Sequence, residues 1–387
     1  MNNSHFDSLR RQFPVCAERI YLQSAFRGLL PTRSIIRLQD LLQDHALRGA
    51  EARDEWFETY RIAGQSLAAW LGTKFEQLVF VPNTAWAMSL IANGIEWESG
   101  DEILLPAMEF PSNVYPWMQL ERDGVGVRVV PADEDGRVSA KALLESIRPN
   151  TRMISVSHVN FTTGYRMDIR ALAKGCRERD VLCVVDAAQS VGWAAIDFDE
   201  LGVDALTGVG RKFFCALDGL GFLLLRPELA DRMRVSAPGP FSVKHERDYM
   251  HHRLDLKRGA HKFQNGAIAT PQAYALEESV QMLQECGRSR VESRCRELAS
   301  HLRSTLRSEG VSFAGERWSD EEQSPIVQAH VRTGDALQAA LKAERISVSV
   351  RPGGVRIGLH AFNIESELNR LVSVLARFKL ANESGNP

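Results

Sequence analysis

Seven short apolar runs, QLVFVP, DEILLPA, GVRVVPA, RMISVSHV, VLCVVDAA, DALTGV and GFLLLRP, recur between residues 77 and 227. Most are continuous rather than alternating, the pattern of strands buried on both faces, as in a parallel sheet covered by helices. Between them, residues 85–96, 139–148 and 168–180 carry apolar positions at helical spacing. Strands alternating with helices predict an α/β domain with a mostly parallel central sheet.

The pattern changes after about residue 270. Two long helices are predicted over PQAYALEESVQMLQECG and SRVESRCRELASHLRSTLRSEG, the second stopped at Gly310. Strands VSFAG, PIVQAHV, ISVSVR and GVRIGLH and the helix ESELNRLVSVLARFKL follow, predicting a smaller C-terminal α+β domain. The division expected is an N-terminal segment 1–20 packing with the small domain, a large domain 21–275, a small domain 276–380 and a frayed tail 381–387.

With 387 residues, 44% of them apolar, the chain can bury a large core, which argues against disorder. Lys plus Arg is 47 against 49 for Asp plus Glu, so a net charge of −2 gives no general attraction to nucleic acid or anionic membrane. A small-molecule ligand is the expectation. The cysteines at 16, 176, 183, 215, 286 and 295 show no CxxC spacing, against both a zinc site and a secreted disulfide framework. No metal is expected. MNNSHFDSLRRQFP has no apolar leader core, and no run approaches a membrane span, so a cytoplasmic location is expected.

Chemistry concentrates in VVDAAQSVGWAAIDFDELGVDALTGVGRKFF. Asp186 ends an apolar strand, where open α/β sheets place their ligands. Lys212 stands between Gly208, Gly210 and the pair Phe213 and Phe214, a tight apolar setting that lowers a lysine's pKa and favours the nucleophilic amine. A lysine to hold an aldehyde and a carboxylate to keep a pyridine nitrogen protonated are what pyridoxal 5′-phosphate (PLP) needs. At about 4 Å and an effective dielectric near 20, the carboxylate would stabilise the ring cation by about 4 kcal/mol. Asn83 and Thr84 precede a predicted helix whose free amides attract phosphate, although an ordinary helix cap reads the same way.

The order DAAQS, DALTGVGRK, GLGFLLLRPEL resembles the class V aminotransferase and cysteine desulfurase family of fold type I PLP enzymes. The likeness extends from IYLQSAFRGLLP to GGVRIGLHAFNIESELNRL. It implies that Lys212 is the Schiff-base lysine, that Asp186 pairs with the pyridine nitrogen, and that Gln189 bonds the phenolic oxygen. In VPNTAWAMSL it places phosphate at Asn83, Thr84 and Ala85; in AMEFPSNVYPW it stacks Phe110 on the cofactor. It brings Asn160 of SHVNFTTGYRMD to the cofactor oxygen or the substrate carboxylate, and makes Arg356 the α-carboxylate ligand, with Arg351 a neighbouring candidate. His158 reads as a hydrogen-bonded structural histidine. A homodimer with active sites at its interface is the family norm.

Three departures shape the expected reaction. Val209-Gly210-Arg211 replaces a Ser-x-His triplet before the lysine, so Arg211 is expected to take over phosphate contacts. Gly266-Ala267 stands where the family often has Gly-Thr. No cysteine follows Cys295, so the late nucleophilic cysteine of a persulfide relay is missing and a relay desulfurase is disfavoured. The expectation is an enzyme acting at an amino acid's Cα through deprotonation by Lys212, a β-eliminating lyase or an aminotransferase. Epimerase or racemase chemistry and a catalytically retired PLP-binding paralogue remain as alternatives.

Overall fold

A computed structural model describes residues 4–266 and 268–380 of the chain. Its central sheet has seven strands: β1 (Leu78–Val81), β2 (Glu102–Pro106), β3 (Gly126–Val130), β4 (Thr151–Ser157), β5 (Leu182–Asp186), β6 (Ala205–Val209) and β7 (Gly221–Leu225). All seven coincide with the apolar runs. Their order is β1-β7-β6-β5-β4-β2-β3, and only β7 runs antiparallel to its neighbours. Val184, Val185, Leu206, Leu223 and Leu224 are fully buried, as continuous apolar runs require of strands covered on both faces.

Helices α1 (Thr32–Leu47), α2 (Arg53–Trp70) and α3 (Thr84–Gly94) precede most of the sheet, and α4 (Thr270–Cys286) packs along α1 and α2. The helices at 140–145 and 169–177 fall where periodicity placed them. Helix α5 (Arg288–Ser308) then leads to a three-stranded antiparallel sheet of β8 (Ile326–Ala329), β9 (Ser349–Arg351) and β10 (Gly354–Gly358), closed by α6 (Glu365–Leu375). VSFAG forms no strand of that sheet. Only Phe313 bridges Ala329, because Gly315 turns the chain at φ +80° and Glu316 caps the Phe313 amide. ISVSVR divides into Ile346–Ser347, paired with Ile20–Tyr21, and β9.

Leu298, Leu302, Val327, Val355, Ile357, Leu368 and Leu371 form a core separate from that of the large sheet. The expected boundary at 275/276 falls inside α4, whose Leu276, Val280 and Leu283 join the larger core, so we propose that the small unit begins within α5, near Leu298. The N-terminal segment touches both: Leu9 and Phe13 join the larger core, while Arg10 ion-pairs with Glu367 at 2.7 Å. No helix among the described residues is long and apolar enough to cross a membrane.

Candidate active site

The turn after β6 is set by packing. Phe213 and Phe214 are fully buried, and the turn closes on itself through Cys215 N–H to Lys212 O (2.9 Å) and Ala216 N–H to Gly210 O (3.0 Å). Gly28 donates to Arg211 O at 2.8 Å, and a Cβ there would lie 2.0 Å from Lys212 O. Gly192, at φ +97°, also presses on this turn, where a Cβ would lie 2.5 Å from the Phe213 carbonyl carbon. Held from both sides, the turn directs Lys212 into a cavity at the carboxyl ends of the parallel strands.

Lys212 is 8% exposed, and its Nζ sits 5.7 Å from the centroid of the Phe110 ring. Burial lowers its pKa to about 8; Asp186 opposes the shift, while Arg211, Arg356 and Arg351 add to it. Such an amine keeps an appreciable neutral fraction near physiological pH, unlike a surface lysine. Asp186 ends β5, also buried, with Oδ1 accepting from Ala188 N–H at 2.8 Å. Burial raises its pKa, against the opposing pull of Lys212 and the Ala188 amide. A buried carboxylate in that state is stabilised by a cation brought to it.

Gln189 donates through Nε2 to Ala25 O at 3.1 Å, and its buried Oε1 has no partner among the described residues. In this conformation the atom left open is an acceptor, so whatever faces it must bring a donor. His158 is buried, with Nδ1 2.9 Å from Ser190 Oγ, and burial drives its pKa down to about 3. A ring that stays neutral throughout ordinary pH is a structural brace.

At the opposite end of the cavity, Asn83 caps α3. Its Oδ1 accepts from Trp86 N–H at 2.9 Å and its carbonyl from Ala87 N–H at 3.2 Å, leaving the Thr84 and Ala85 amides of the first turn open. Asn83, Thr84, Phe110, Asp186, Gln189, Arg211 and Lys212 share this one cavity. Arg211 donates to Phe26 O at 2.9 Å and keeps a looser ion pair with Asp218 at 3.5 Å. Val209 lines the wall here without offering a donor. Ala267 lies outside the described residues.

Asn160 and Arg356 flank the cavity at Phe161, which lines it. Asn160 Oδ1 accepts from the Thr162 and Thr163 amides at 2.9 and 3.0 Å, and its Nδ2 donates to Met108 O. Those bonds shape the loop that carries Phe161. Arg356, 2% exposed, donates from Nη1 to Phe161 O at 2.6 Å and keeps an unpartnered buried Nε. Phe161 lines the cavity and packs edge-on to Phe110 at 5.1 Å.

Sequence reading passed over Glu109, Ser157 and Phe161. Glu109 accepts from Ser157 N–H (2.7 Å), Ser157 Oγ (2.6 Å) and Asn113 Nδ2 (3.1 Å). Ser157 lines the cavity beside Asp186, its register partner in the sheet. Burial pushes the Glu109 carboxyl up to about 7. The available signal was the spacing in EFPSN, where an acid and an amide stand four residues apart.

These groups fit PLP: an amine with no salt bridge among the described residues, a buried carboxylate, an open buried acceptor, open helix amides, an arginine fork and an aromatic face. The aminotransferase class-V family model matches residues 20–371. The chain belongs to this family. Class V enzymes use PLP, and this one is a PLP-dependent enzyme of fold type I acting at the Cα of an amino acid. It is 25% identical to a probable cysteine desulfurase of Methanothermobacter thermautotrophicus over 80% of this chain and 78% of that one. It is 28% identical to the isopenicillin N epimerase of Amycolatopsis lactamdurans over 81% and 83%. Among solved structures, the cystine C-S lyase C-DES, in complex with its reaction product cysteine persulfide, superposes with a TM-score of 0.88 at 23% identity, covering 95% of this chain and 100% of that one.

Proposed function

We propose that this enzyme is a β-eliminating lyase or an aminotransferase in which Lys212 holds the cofactor and removes the Cα proton. The observation carrying the proposal is the buried Lys212 amine, with a pKa of about 8, sharing a cavity with buried Asp186. PLP bound there supplies an aldehyde for the lysine and an electron-withdrawing ring for the substrate's Cα.

Asp186 would keep a proton on the ring nitrogen, since its carboxylate is otherwise met by little besides the Ala188 amide. The Thr84 and Ala85 amides, with Asn83 at the helix start, would receive the phosphate at the positive end of α3, joined by the Arg211 fork. Phe110 would cover the ring's face. Gln189 would stand by the phenolic oxygen, and Asn160 would act by holding the Phe161 loop. Arg356 would fix the substrate's α-carboxylate so that the Cα proton faces Lys212, whose low pKa suits it to general-base work.

The cysteines support release of a leaving group over a sulfur relay. All six are buried, and burial raises the thiols of Cys16 and Cys286 to about 11 and that of Cys215 to about 12. A thiol of that kind is a poor acceptor of sulfur. We also propose a homodimer closing over the cavity, supported by the exposed Trp86, Met108, Phe110, Tyr115 and Met118 near its mouth.

Absorbance of the PLP-loaded protein tests the assignment: a visible band present in the wild type and absent from Lys212→Ala is expected, and a band surviving the substitution sinks it. Assays for pyruvate with ammonia, for keto acid, and for inverted Cα then separate elimination, transamination and epimerisation.

A further inference from the structure

Arg351 and Arg356 lie on the two strands of one hairpin. The register pairs Ser349 with Arg356 and Arg351 with Gly354, so both arginines project from the same face as diagonal neighbours. Both converge on Phe161. Arg356 donates to its carbonyl, and the Arg351 guanidinium stacks over its ring at 5.6 Å. Phe161 in turn lines the cavity that holds Lys212.

Among the described residues neither guanidinium has an ion-pair partner. No acid is among the groups shifting either one, Arg356 is lowered by burial and by Arg351, and its Nε is buried without a partner. Partly buried Arg128, Arg33 and Arg166 are each paired with an acid, Glu102, Glu278 and Glu292, and buried Arg303 donates to the Ser324 and Ile326 carbonyls, whereas Arg351 and Arg356 lie side by side. Two like charges held together in a partly dry site are costly unless an anion joins them. A single α-carboxylate is matched by one planar fork, which leaves the second fork unaccounted for.

We propose that the substrate is an amino acid carrying a second acid group on its side chain, the α-carboxylate meeting Arg356 and the side-chain anion meeting Arg351. This rests on the proposed function and names the substrate class of the same site. A side-chain carboxylate, sulfinate or sulfonate has the required charge and oxygen geometry, and stacking on Phe161 holds the Arg351 fork ready for it.

The test is titration of the PLP-loaded protein with succinate and with butyrate, followed by calorimetry, for the wild type, Arg351→Gln and Arg351→Lys. Succinate is expected to bind at least tenfold more tightly than butyrate to the wild type. That ratio should fall towards one in Arg351→Gln, recover in part in Arg351→Lys, and leave butyrate binding unchanged in both. Equal binding of the two acids to the wild type overturns the inference, and so does an Arg351→Gln variant that loses butyrate as strongly as succinate. The visible band separates the two levels: its absence from the wild type sinks the functional reading, whereas a band with no preference for succinate sinks only this inference. Arg351 is partly exposed at the end of a short strand, so its substitutions are expected to fold.

Discussion

The two walls of the cavity differ in how far their polar groups are already satisfied. On the strand-end wall, Glu109, Ser157, His158 and Ser190 bond to one another and to the backbone, and Asp186 has the Ala188 amide. On the hairpin side, Arg356 keeps an Nε without a partner among the described residues, and Arg351 rests on the Phe161 ring. The first wall is built from parallel strands whose spacing fixes each side chain, so it is formed before any ligand arrives. The second is a cationic surface whose energy improves when an anion binds. The strand-end braces are prearranged around a few groups left open for the cofactor, Gln189 Oε1 and the first-turn amides of α3 among them, whereas the hairpin side holds unpaired positive charge.

The comparison breaks first at Lys212, where the largest effect is expected. Lys212→Ala should reduce turnover by roughly 10³-fold or more, since it removes both the proposed attachment and a base of the kind that contributes about 10²–10⁴-fold. Its stability should move the other way. The folded pKa of about 8 lies below the usual 10.5, so the unfolded chain binds the extra proton between those values and wild-type stability rises with pH across that window. The variant lacks that rise. Denaturation of both apo-proteins at pH 7.5 and 9.5 checks it: the wild type should gain relative to the variant by up to about 2 kcal/mol.

On the hairpin wall, Arg356→Gln should raise KM by about 10²-fold while changing kcat less, because it removes a charge-assisted contact made to ground state and transition state alike. Steady-state kinetics on an amino acid that the enzyme turns over would show it. A loss confined to kcat would place Arg356 in the chemical step and contradict the proposed division of labour.

How far the sequence could show this contrast follows from the same physics. The seven strands were legible because each is an unbroken apolar run, and Asp186 and Lys212 because they end or follow such runs in an order that resembles one family. VSFAG has a strand's composition, but Gly315 and the Glu316 cap decide its path. Asn160 and Arg356 were read as direct contacts; the fold also has both hold the Phe161 loop, a relation between residues 161 and 356 that no local pattern contains. Glu109 was hidden for a similar reason. Its proximity to Ser157 arises only when the chain returns from β4 to the loop after β2.

Glu109 offers the smallest and most specific test of the prearranged wall. Burial raises its folded pKa from 4.5 to about 7, so between those values the native state holds a proton that the unfolded chain has released. Native stability therefore falls as pH rises through that window and levels off above it. Glu109→Gln removes the titration, keeps an acceptor for the Ser157 amide, and places a donor against Asn113 Nδ2 and Ser157 Oγ. At pH 5 the variant should be the less stable, by about 1 kcal/mol for the disturbed hydrogen bonds. At pH 8 the wild type bears a charged carboxylate in a dry site and the difference should close or reverse. His158 and His360, which burial holds neutral, give slopes of opposite sign, but they are common to both proteins and cancel in the difference. Urea denaturation of both proteins at pH 5 and pH 8 measures that difference. A gap independent of pH would mean that Glu109 is ionised throughout, and that the strand-end wall, like the hairpin wall, holds a charge awaiting a partner.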